Sequence, residues 1–128
     1  MLKIVAIEIM VSNLDKAKKW YKDYLGAKIT EEYKEWKCVD LFVGESKVEL
    51  DIGEPLENWG EDEFRKAKSR IGSSTGIIIQ VDDIEKMHRN LQSKGIRFTQ
   101  PPTRKPWGEI VATFVDLDGN EYKLVQEI

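Results

Sequence analysis

The sequence predicts an α+β domain built from two tandem copies of one β-α-β-β-β unit. Three observations support this prediction: a segment that recurs in character 70 positions later, an amphipathic helical pattern after each copy, and matching hairpin signals towards the end of each half. The recurring segments are Val11–Lys16 and Val81–Lys86. The chain of 128 residues has the length of a single domain. We divide it into module one (1–53), a connector (54–75) and module two (76–128).

Each module opens with an apolar strand that leads directly into a helix. The predicted strands run from Lys3 to Val11 and from Gly76 to Val81. A helix-capping signature follows each strand, because a short polar side chain can accept hydrogen bonds from the free N–H groups of the first helical turn. The capping pairs are Ser12 with Asp15 in module one and Asp82 with Glu85 in module two.

The two predicted helices carry apolar side chains at helical spacing and end at a glycine. The apolar positions are Leu14, Ala17, Tyr21 and Leu25 in module one, and Ile84, Met87 and Leu91 in module two. Gly26 and Gly95 follow these stripes, and glycine readily adopts the left-handed conformation that ends a helix.

Three further strands close each module. The turn signals are Gly44–Ser46 and Asp118–Asn120. The last strands, around Val48–Leu50 and Tyr122–Leu124, match at an offset of 74. The connector contains a short helical pattern over Glu61–Arg70. A two-layer sandwich of ferredoxin type is the competing fold, but eight strand candidates are too many for it.

Composition excludes several classes of protein. The net charge of −3 argues against a general nucleic-acid-binding protein, which normally has a basic face. No apolar run reaches the roughly 18 residues of a membrane-spanning helix, and the first residues do not resemble a signal peptide, so we expect a cytoplasmic protein. Cys38 is the only cysteine, so neither an intrachain disulfide nor a thiolate zinc cluster is expected.

Three segments together resemble the vicinal oxygen chelate superfamily, which includes glyoxalases, bleomycin-resistance proteins and extradiol dioxygenases. They are Val11–Gly26 in the first helix, Gln100–Gly108 before the penultimate strand, and the closing hairpin Phe114–Gln126. The resemblance implies that the two modules form a curved mixed sheet around a cleft, with the helices outside. It also implies a homodimer in which the partner chain helps to build the cleft.

The resemblance further implies four metal-ligand positions, which the repeat assigns to Ala6, Gly76, Glu49 and Lys123. Metal-dependent members carry His or Glu there, and the metal binds vicinal oxygens of the substrate. Alanine and glycine have no donor atom, and an ammonium group repels a cation. We therefore expect no divalent metal and no other cofactor, although a site rebuilt from Glu8 and Glu49 stays open as an alternative.

Strand alternation predicts which side chains face the cleft. They include four carboxylates, a glutamine and two lysines, Lys47 and Lys123. We expect this face to bind a small polar or cationic molecule, with an aromatic side chain at the rim. The predicted ligand-binding residues are Glu8, Glu49, Asp51, Gln80, Trp107, Glu121 and Lys123.

Three functions are compatible with these residues. The first is a glyoxalase/bleomycin-resistance-like protein that binds a small molecule without the family metal. The second is a lyase or isomerase of the lactoylglutathione lyase type with a non-standard site, in which Glu49 is the base and Lys123 stabilises the developing anion. The third is a non-catalytic interaction domain, because one fold serves many functions.

Overall fold

The elements of the chain alternate as the repeat predicts. A computed structural model describes all 128 residues. The elements are β1 (Ala6–Met10), α1 (Leu14–Leu25), β2 (Lys28–Tyr33), β3 (Cys38–Phe42), β4 (Glu49–Gly53), a 3-10 turn (Glu57–Trp59), α2 (Glu61–Ser69), β5 (Ser74–Gln80), α3 (Ile84–Ser93), β6 (Phe98–Lys105), β7 (Glu109–Val115) and β8 (Glu121–Glu127).

Each module folds its strands into a four-stranded mixed sheet with one strand order. The order is β1-β4-β3-β2 in module one and β5-β8-β7-β6 in module two. The first strand of each module runs parallel to the fourth, and the other neighbours are antiparallel. The predicted α+β class and the two β-α-β-β-β modules are therefore confirmed. The chain divides into two compact units, 1–72 and 73–128, so the connector helix α2 belongs to the same unit as module one.

The helix caps lie one residue later than predicted. Asn13 and Asp83 are the capping residues, and their side chains accept hydrogen bonds from the backbone N–H of Lys16 at 3.0 Å and of Lys86 at 3.1 Å. Both capping residues have extended backbone, which leaves the side chain beside the first free N–H groups of the helix. The prediction of Ser12 and Asp82 as caps is therefore wrong by one position.

A pair of equivalent hydrogen bonds fixes how the two modules correspond. The backbone N–H of Leu14 donates to Glu54 Oε2 at 2.9 Å, and that of Ile84 donates to Gln126 Oε1 at 2.8 Å. Both bonds join the start of a helix to the end of the fourth strand of its module. Glu54 directly follows β4, and Gln126 is the residue before the last of β8. Glu54 and Gln126 are thus equivalent at an offset of 72.

The predicted offset of 74 for the closing strand is therefore wrong by two residues. At an offset of 72, Glu49 corresponds to Glu121 and Asp51 corresponds to Lys123. Comparing the two halves of the sequence gave the wrong offset because side chains along a strand alternate between the two faces. A shift of two residues therefore keeps every side chain on the same face. Apolar and polar positions match equally well at either offset.

Each helix covers one face of its own sheet with apolar side chains. α1 buries Ala17, Trp20 and Tyr21, and α3 buries Ile84 and Leu91. The opposite face of each sheet carries polar side chains such as Asp51 and Lys123, although Val111, Thr113 and Val125 on that face of module two are also buried. A membrane span requires a length and an apolar character that no helix of this chain combines.

Candidate functional site

The face of the module-one sheet opposite α1 carries a row of carboxylates, one from each strand. Glu8 on β1 lies opposite Asp51 on β4, Asp51 lies opposite Asp40 on β3, and Asp40 lies opposite Glu31 on β2. Side chains at opposed positions of neighbouring strands are within about 4.5–5.5 Å at Cβ. We call Glu8, Asp51, Asp40 and Glu31 the carboxylate row.

The core confirms which face the carboxylate row occupies. Successive residues of a strand point to opposite faces, so the neighbours of the row must point the other way. Those neighbours, Val39 and Leu41 on β3 and Leu50 and Ile52 on β4, are all buried in the core. The row therefore lies on the face that the apolar core leaves uncovered.

Asp51, at the centre of the row, is close enough to its neighbours for their charges to oppose its ionisation. Partial burial and the charges of Asp40, Glu8 and Glu49 raise the pKa of Asp51 to about 6, and a hydrogen bond with Asp40 adds to this effect. Asp51 therefore holds a proton in mildly acidic solution, at a pH where an ordinary aspartate is ionised. A cation placed on the row would relieve the same repulsion.

The surroundings of Cys38 disfavour the thiolate form of its side chain. Partial burial, together with the charges of Asp51, Asp40 and Glu8, raises the pKa of its thiol to about 11. A thiol with such a pKa stays protonated at neutral pH, and the thiolate is the reactive form.

Two hydroxyl groups border the carboxylate row. The hydroxyl of Tyr33 donates to Asp40 Oδ2 at 3.2 Å, and Thr30 Oγ1 donates to Glu49 Oε1 at 3.0 Å. Burial and the charge of Asp40 raise the pKa of Tyr33, so its hydroxyl keeps its proton and acts as a donor. Glu49, which lies one rung from the row on β4, is thereby held by a side chain of β2, across β3.

One cation of the chain contacts the end of the row. Arg70, which follows α2, donates from Nη1 to Glu8 Oε1 at 2.7 Å and from Nη2 to the backbone carbonyl of Glu8 at 2.8 Å. Both side chains of the pair are about half exposed, at 48% and 49%. The connector therefore supplies a guanidinium group to the carboxylate row.

The corresponding rung of module two has a different chemistry. Ile78 lies opposite Lys123, Lys123 lies opposite Thr113, and Thr113 lies opposite Gln100. These residues stand where module one has Glu8, Asp51, Asp40 and Glu31. The rung thus carries one positive charge and no carboxylate.

The other predicted ligand-binding residues of module two lie at separate positions of its sheet. Glu121 lies opposite Ser74, and Gln80 lies opposite Val125 near the end of β5. Trp107 lies in the turn between β6 and β7, where it is 66% exposed and its Nε1 donates to Glu109 Oε1 at 2.6 Å. Of the seven predicted residues, the structure brings together Glu8, Glu49 and Asp51 on module one.

The family metal does not fit the residues at the implied positions. Ala6 lies directly opposite Glu49, and its methyl group has no donor atom. Gly76 lies within an irregularity of the β5–β8 pairing, with a φ of 73° and likewise no donor. The offset of 72 places the carboxylate of Glu121, rather than Lys123, in the position equivalent to Glu49. No group of three or more His, Cys, Asp or Glu side chains is arranged to hold a metal ion.

Sequence reasoning missed three residues of this site. Asp40 alternates with the buried Val39 and Leu41, so the period of the strand could have placed it on the open face. Glu31 joins the row because the pairing of β2 with β3 shifts between Ile29 and Glu31, and no sequence signal marks that shift. Arg70 reaches Glu8 across 62 positions of the chain, and no local pattern predicts this contact.

Comparisons with known proteins assign the chain to a family. Residues 3–124 match the model of the Glyoxalase/Bleomycin resistance protein/Dioxygenase superfamily. The lactoylglutathione lyase of Haemophilus influenzae is 30% identical over 130 residues, which cover 96% of this chain and 90% of that protein. The chain therefore belongs to the Glyoxalase/Bleomycin resistance protein/Dioxygenase superfamily.

Solved structures agree with this assignment. A superfamily member from Sphaerobacter thermophilus has a TM-score of 0.83 and 29% sequence identity, with 99% of this chain and 98% of that chain covered. TnmS3, an antibiotic binding protein from Streptomyces sp. CB03234, has a TM-score of 0.76 at 20% identity and covers 100% of this chain and 98% of its own. The second likeness shows a shared fold.

Proposed function

We propose that the protein binds a small cationic molecule on the open face of the module-one sheet, without the family metal. The observation that carries this proposal is the carboxylate row, in which four neighbouring strands each place a carboxylate on one rung. TnmS3 supports it, because a protein of the same fold binds an antibiotic.

The electrostatics of the row favour a cation over a neutral ligand. Adjacent carboxylates repel one another, and Asp51 relieves the repulsion by taking up a proton. A bound amidinium or ammonium group would replace that proton and offer N–H donors to the carboxylate oxygens. Binding should therefore tighten as the pH rises through about 6, because Asp51 is then ionised without a ligand.

Module two offers a second set of candidate ligand contacts. The exposed indole of Trp107 offers a flat apolar surface on which a planar ligand could stack. Gln80, Glu121 and Lys123 stay predicted ligand contacts, each to be tested by its own substitution. Of these, Lys123 would disfavour a cation and would suit an acidic group of the ligand.

The proposal can be tested by titration calorimetry with pentamidine, a dicationic aromatic amidine, at low ionic strength and pH 7.5. Asp40→Asn and Glu49→Gln should each weaken binding by roughly fivefold to tenfold, because each removes one charge beside the ligand. Asp23→Asn is the matched control, since this carboxylate is on α1, where it pairs with Lys19 at 2.8 Å. Equal affinities of all four proteins would contradict the proposal.

A lyase or isomerase is the second candidate function. The observation that favours it is the 30% identity with a lactoylglutathione lyase across nearly the whole chain. Glu49, held by Thr30 at 3.0 Å, is the candidate base, and Lys123 is the candidate electrostatic partner. The test is an assay for S-lactoylglutathione formation with the wild type and Glu49→Gln. Activity that survives Glu49→Gln would reject this base, and a lack of both activity and binding would favour an interaction domain.

We also propose that the protein is a cytoplasmic homodimer. β1 is an edge strand of its sheet, and Ile7 within it and Ile4 and Val5 just before it are exposed, with Ile4 at 80%. Exposed apolar side chains along a strand edge favour pairing with another chain. Light scattering should show a dimer for the wild type and a monomer for Ile7→Lys. The control, Leu117→Lys, changes an exposed leucine in a module-two turn and should stay dimeric.

A further inference from the structure

The connector helix forms a cavity with the edge of the carboxylate row. α2 lies against module one, with Ala67 buried at 5% exposure and Arg70 bound to Glu8. The cavity has a volume of about 410 Å³. Its walls are formed by Glu8, Trp59, Glu63, Lys66, Ala67 and Arg70. The cavity thus joins an indole, two carboxylates, the guanidinium group of Arg70 and the ammonium group of Lys66.

The contact between Arg70 and Glu8 has the geometry of ligand recognition. Two N–H groups of one planar guanidinium donate to two oxygens of Glu8, one from the side chain and one from the backbone. A fork of two parallel donors is also what an amidinium group offers. The contact shows which class of cation fits this end of the row, since a side chain of the protein already binds there in this way.

We propose that Arg70 is an intramolecular competitor of the cationic ligand. A ligand that carries an amidinium or guanidinium group enters the connector cavity, replaces Arg70 at Glu8 and stacks its aromatic part on Trp59. This inference rests on the proposed function and names the class of ligand: a planar aromatic amidine or guanidine.

The ion pair between Arg70 and Glu8 costs little free energy to break, because both side chains are about half exposed and ion pairs in such surroundings contribute little to stability. Trp59, at 39% exposure, presents part of its ring to the cavity, where a cation or a planar group gains further contacts. A ligand that binds Glu8 and also stacks on Trp59 gains both contacts within one cavity.

Calorimetry with pentamidine on matched variants tests the competition. Arg70→Gln should tighten binding by roughly twofold to fivefold, since the competing charge is gone. Arg65→Gln is the control: Arg65 is on α2, which ends just before Arg70, and pairs with Asp62 at 2.8 Å. Arg65 does not line the connector cavity, so its loss should leave the affinity unchanged. Glu8→Gln should weaken binding, because the contested carboxylate is removed.

Arg70→Gln and Glu8→Gln are expected to change the affinity in opposite directions. This difference separates competition by Arg70 from a purely structural role. If Arg70 only anchored α2, Arg70→Gln and Glu8→Gln would both loosen the connector and both weaken binding. That result, or equal affinities of Arg70→Gln and Arg65→Gln, overturns the inference. Thermal unfolding monitors the fold of each variant. If Arg70→Gln does not fold, Arg70→Lys, which keeps the charge but loses the fork, should show a smaller gain in affinity, and an unchanged or lower affinity overturns the inference.

A second pair of variants tests the stacking surface. Trp59→Leu should weaken pentamidine binding by roughly threefold or more, since cation and aromatic contacts are lost. Trp36→Leu, which changes an exposed indole in the β2–β3 turn outside the cavity, should not. If Asp40→Asn weakens binding but the Arg70 and Trp59 variants bind like their controls, the inference fails and the proposed function stands. If neither the wild type nor Arg70→Gln binds, both fail.

Discussion

The open faces of the two sheets differ although their backbones match. Each sheet has the same strand order, and equivalent bonds from Leu14 to Glu54 and from Ile84 to Gln126 tie helix to strand. On the open face, however, the carboxylate row of module one corresponds to one lysine and three uncharged residues in module two. The buried face holds the fold together, and the open face is available for function.

The difference shows where the duplicated unit can change its chemistry at low cost. Core positions such as Leu50 and Tyr122 must fill space beneath a helix and stay apolar. Asp51 is only partly buried and Lys123 is exposed, so these two positions can differ in charge without a change of backbone. Such divergence concentrates negative charge on one sheet.

The largest effect on binding is expected when Asp51 of module one is replaced by lysine, the residue that module two has at the equivalent position. Asp51→Lys should weaken pentamidine binding by about tenfold or more, because it replaces an attractive charge with a repulsive one at the centre of the row. The reciprocal variant Lys123→Asp should not create a second site, since its neighbours Ile78 and Thr113 carry no charge. Unchanged affinity of Asp51→Lys in calorimetry would contradict a binding role for the row.

Removing only the charge of Asp51 should stabilise the protein in a pH-dependent way. Its pKa of about 6 in the folded protein exceeds the ordinary 3.8, so the folded state binds this proton more tightly than the unfolded state. The stability from this group is full below about pH 4 and is lost as the pH rises through 6.

Asp51→Asn should therefore raise the free energy of unfolding by about 1–2 kcal/mol at pH 7.5, a range that allows for solvent screening, and change it little at pH 4. Urea unfolding at the two pH values measures both numbers. Asp23→Asn should change stability by less than about 0.5 kcal/mol at either pH. A gain for Asp51→Asn that is equal at both pH values would refute the cause given for the raised pKa.

The shared part of the two modules should respond equally to mutation. Glu54→Ala and Gln126→Ala each remove the acceptor for the first N–H of a helix, Leu14 in α1 and Ile84 in α3. Each should lower the free energy of unfolding by about 1 kcal/mol, the usual cost of a lost cap. Denaturant titration of Glu54→Gln should show a smaller loss, since the amide keeps an acceptor. A large loss in one module alone would show that the two anchors are not equivalent.

The smallest expected effect concerns the hairpin tips. Lys37 has a φ of 47°, and the equivalent residue of the β6–β7 turn is Gly108 with a φ of 91°. Each donates its N–H to the residue three positions earlier, Lys34 or Lys105. A left-handed conformation is strained for lysine and not for glycine. Lys37→Gly should therefore raise the thermal stability by about 0.5 kcal/mol, and Gly108→Ala should lower it by about 1 kcal/mol. A loss of stability in Lys37→Gly would show that the Lys37 side chain contributes more than its backbone strain costs.

Much of the fold could be predicted because its signals are local. Capping groups, helical apolar stripes and terminal glycines lie within a few residues of the elements that they define. The repeat of Val11–Lys16 in Val81–Lys86 then showed that the same set of elements occurs twice. The faces of β1 and β4 were also predictable, and this placed Glu8, Glu49 and Asp51 together on module one.

The rest of the site depends on how distant segments pair. Strand alternation shows which face a residue occupies but not which residue lies opposite it, because a slip of two preserves every face. The register therefore had to come from the structure, which made Glu121 the equivalent of Glu49, gave Lys123 the place of Asp51, and brought Glu31 and Asp40 into one row with Glu8.

Local sequence was sufficient for the two-copy plan, its helices and its buried faces, since side-chain periodicity alone specifies them. The tertiary structure decided which charges meet. The shift in β2 that aligns Glu31 and the return of the connector that brings Arg70 to Glu8 both arise from packing between segments far apart in the chain. Electrostatic interactions depend on those distances in space, and a linear pattern does not contain them.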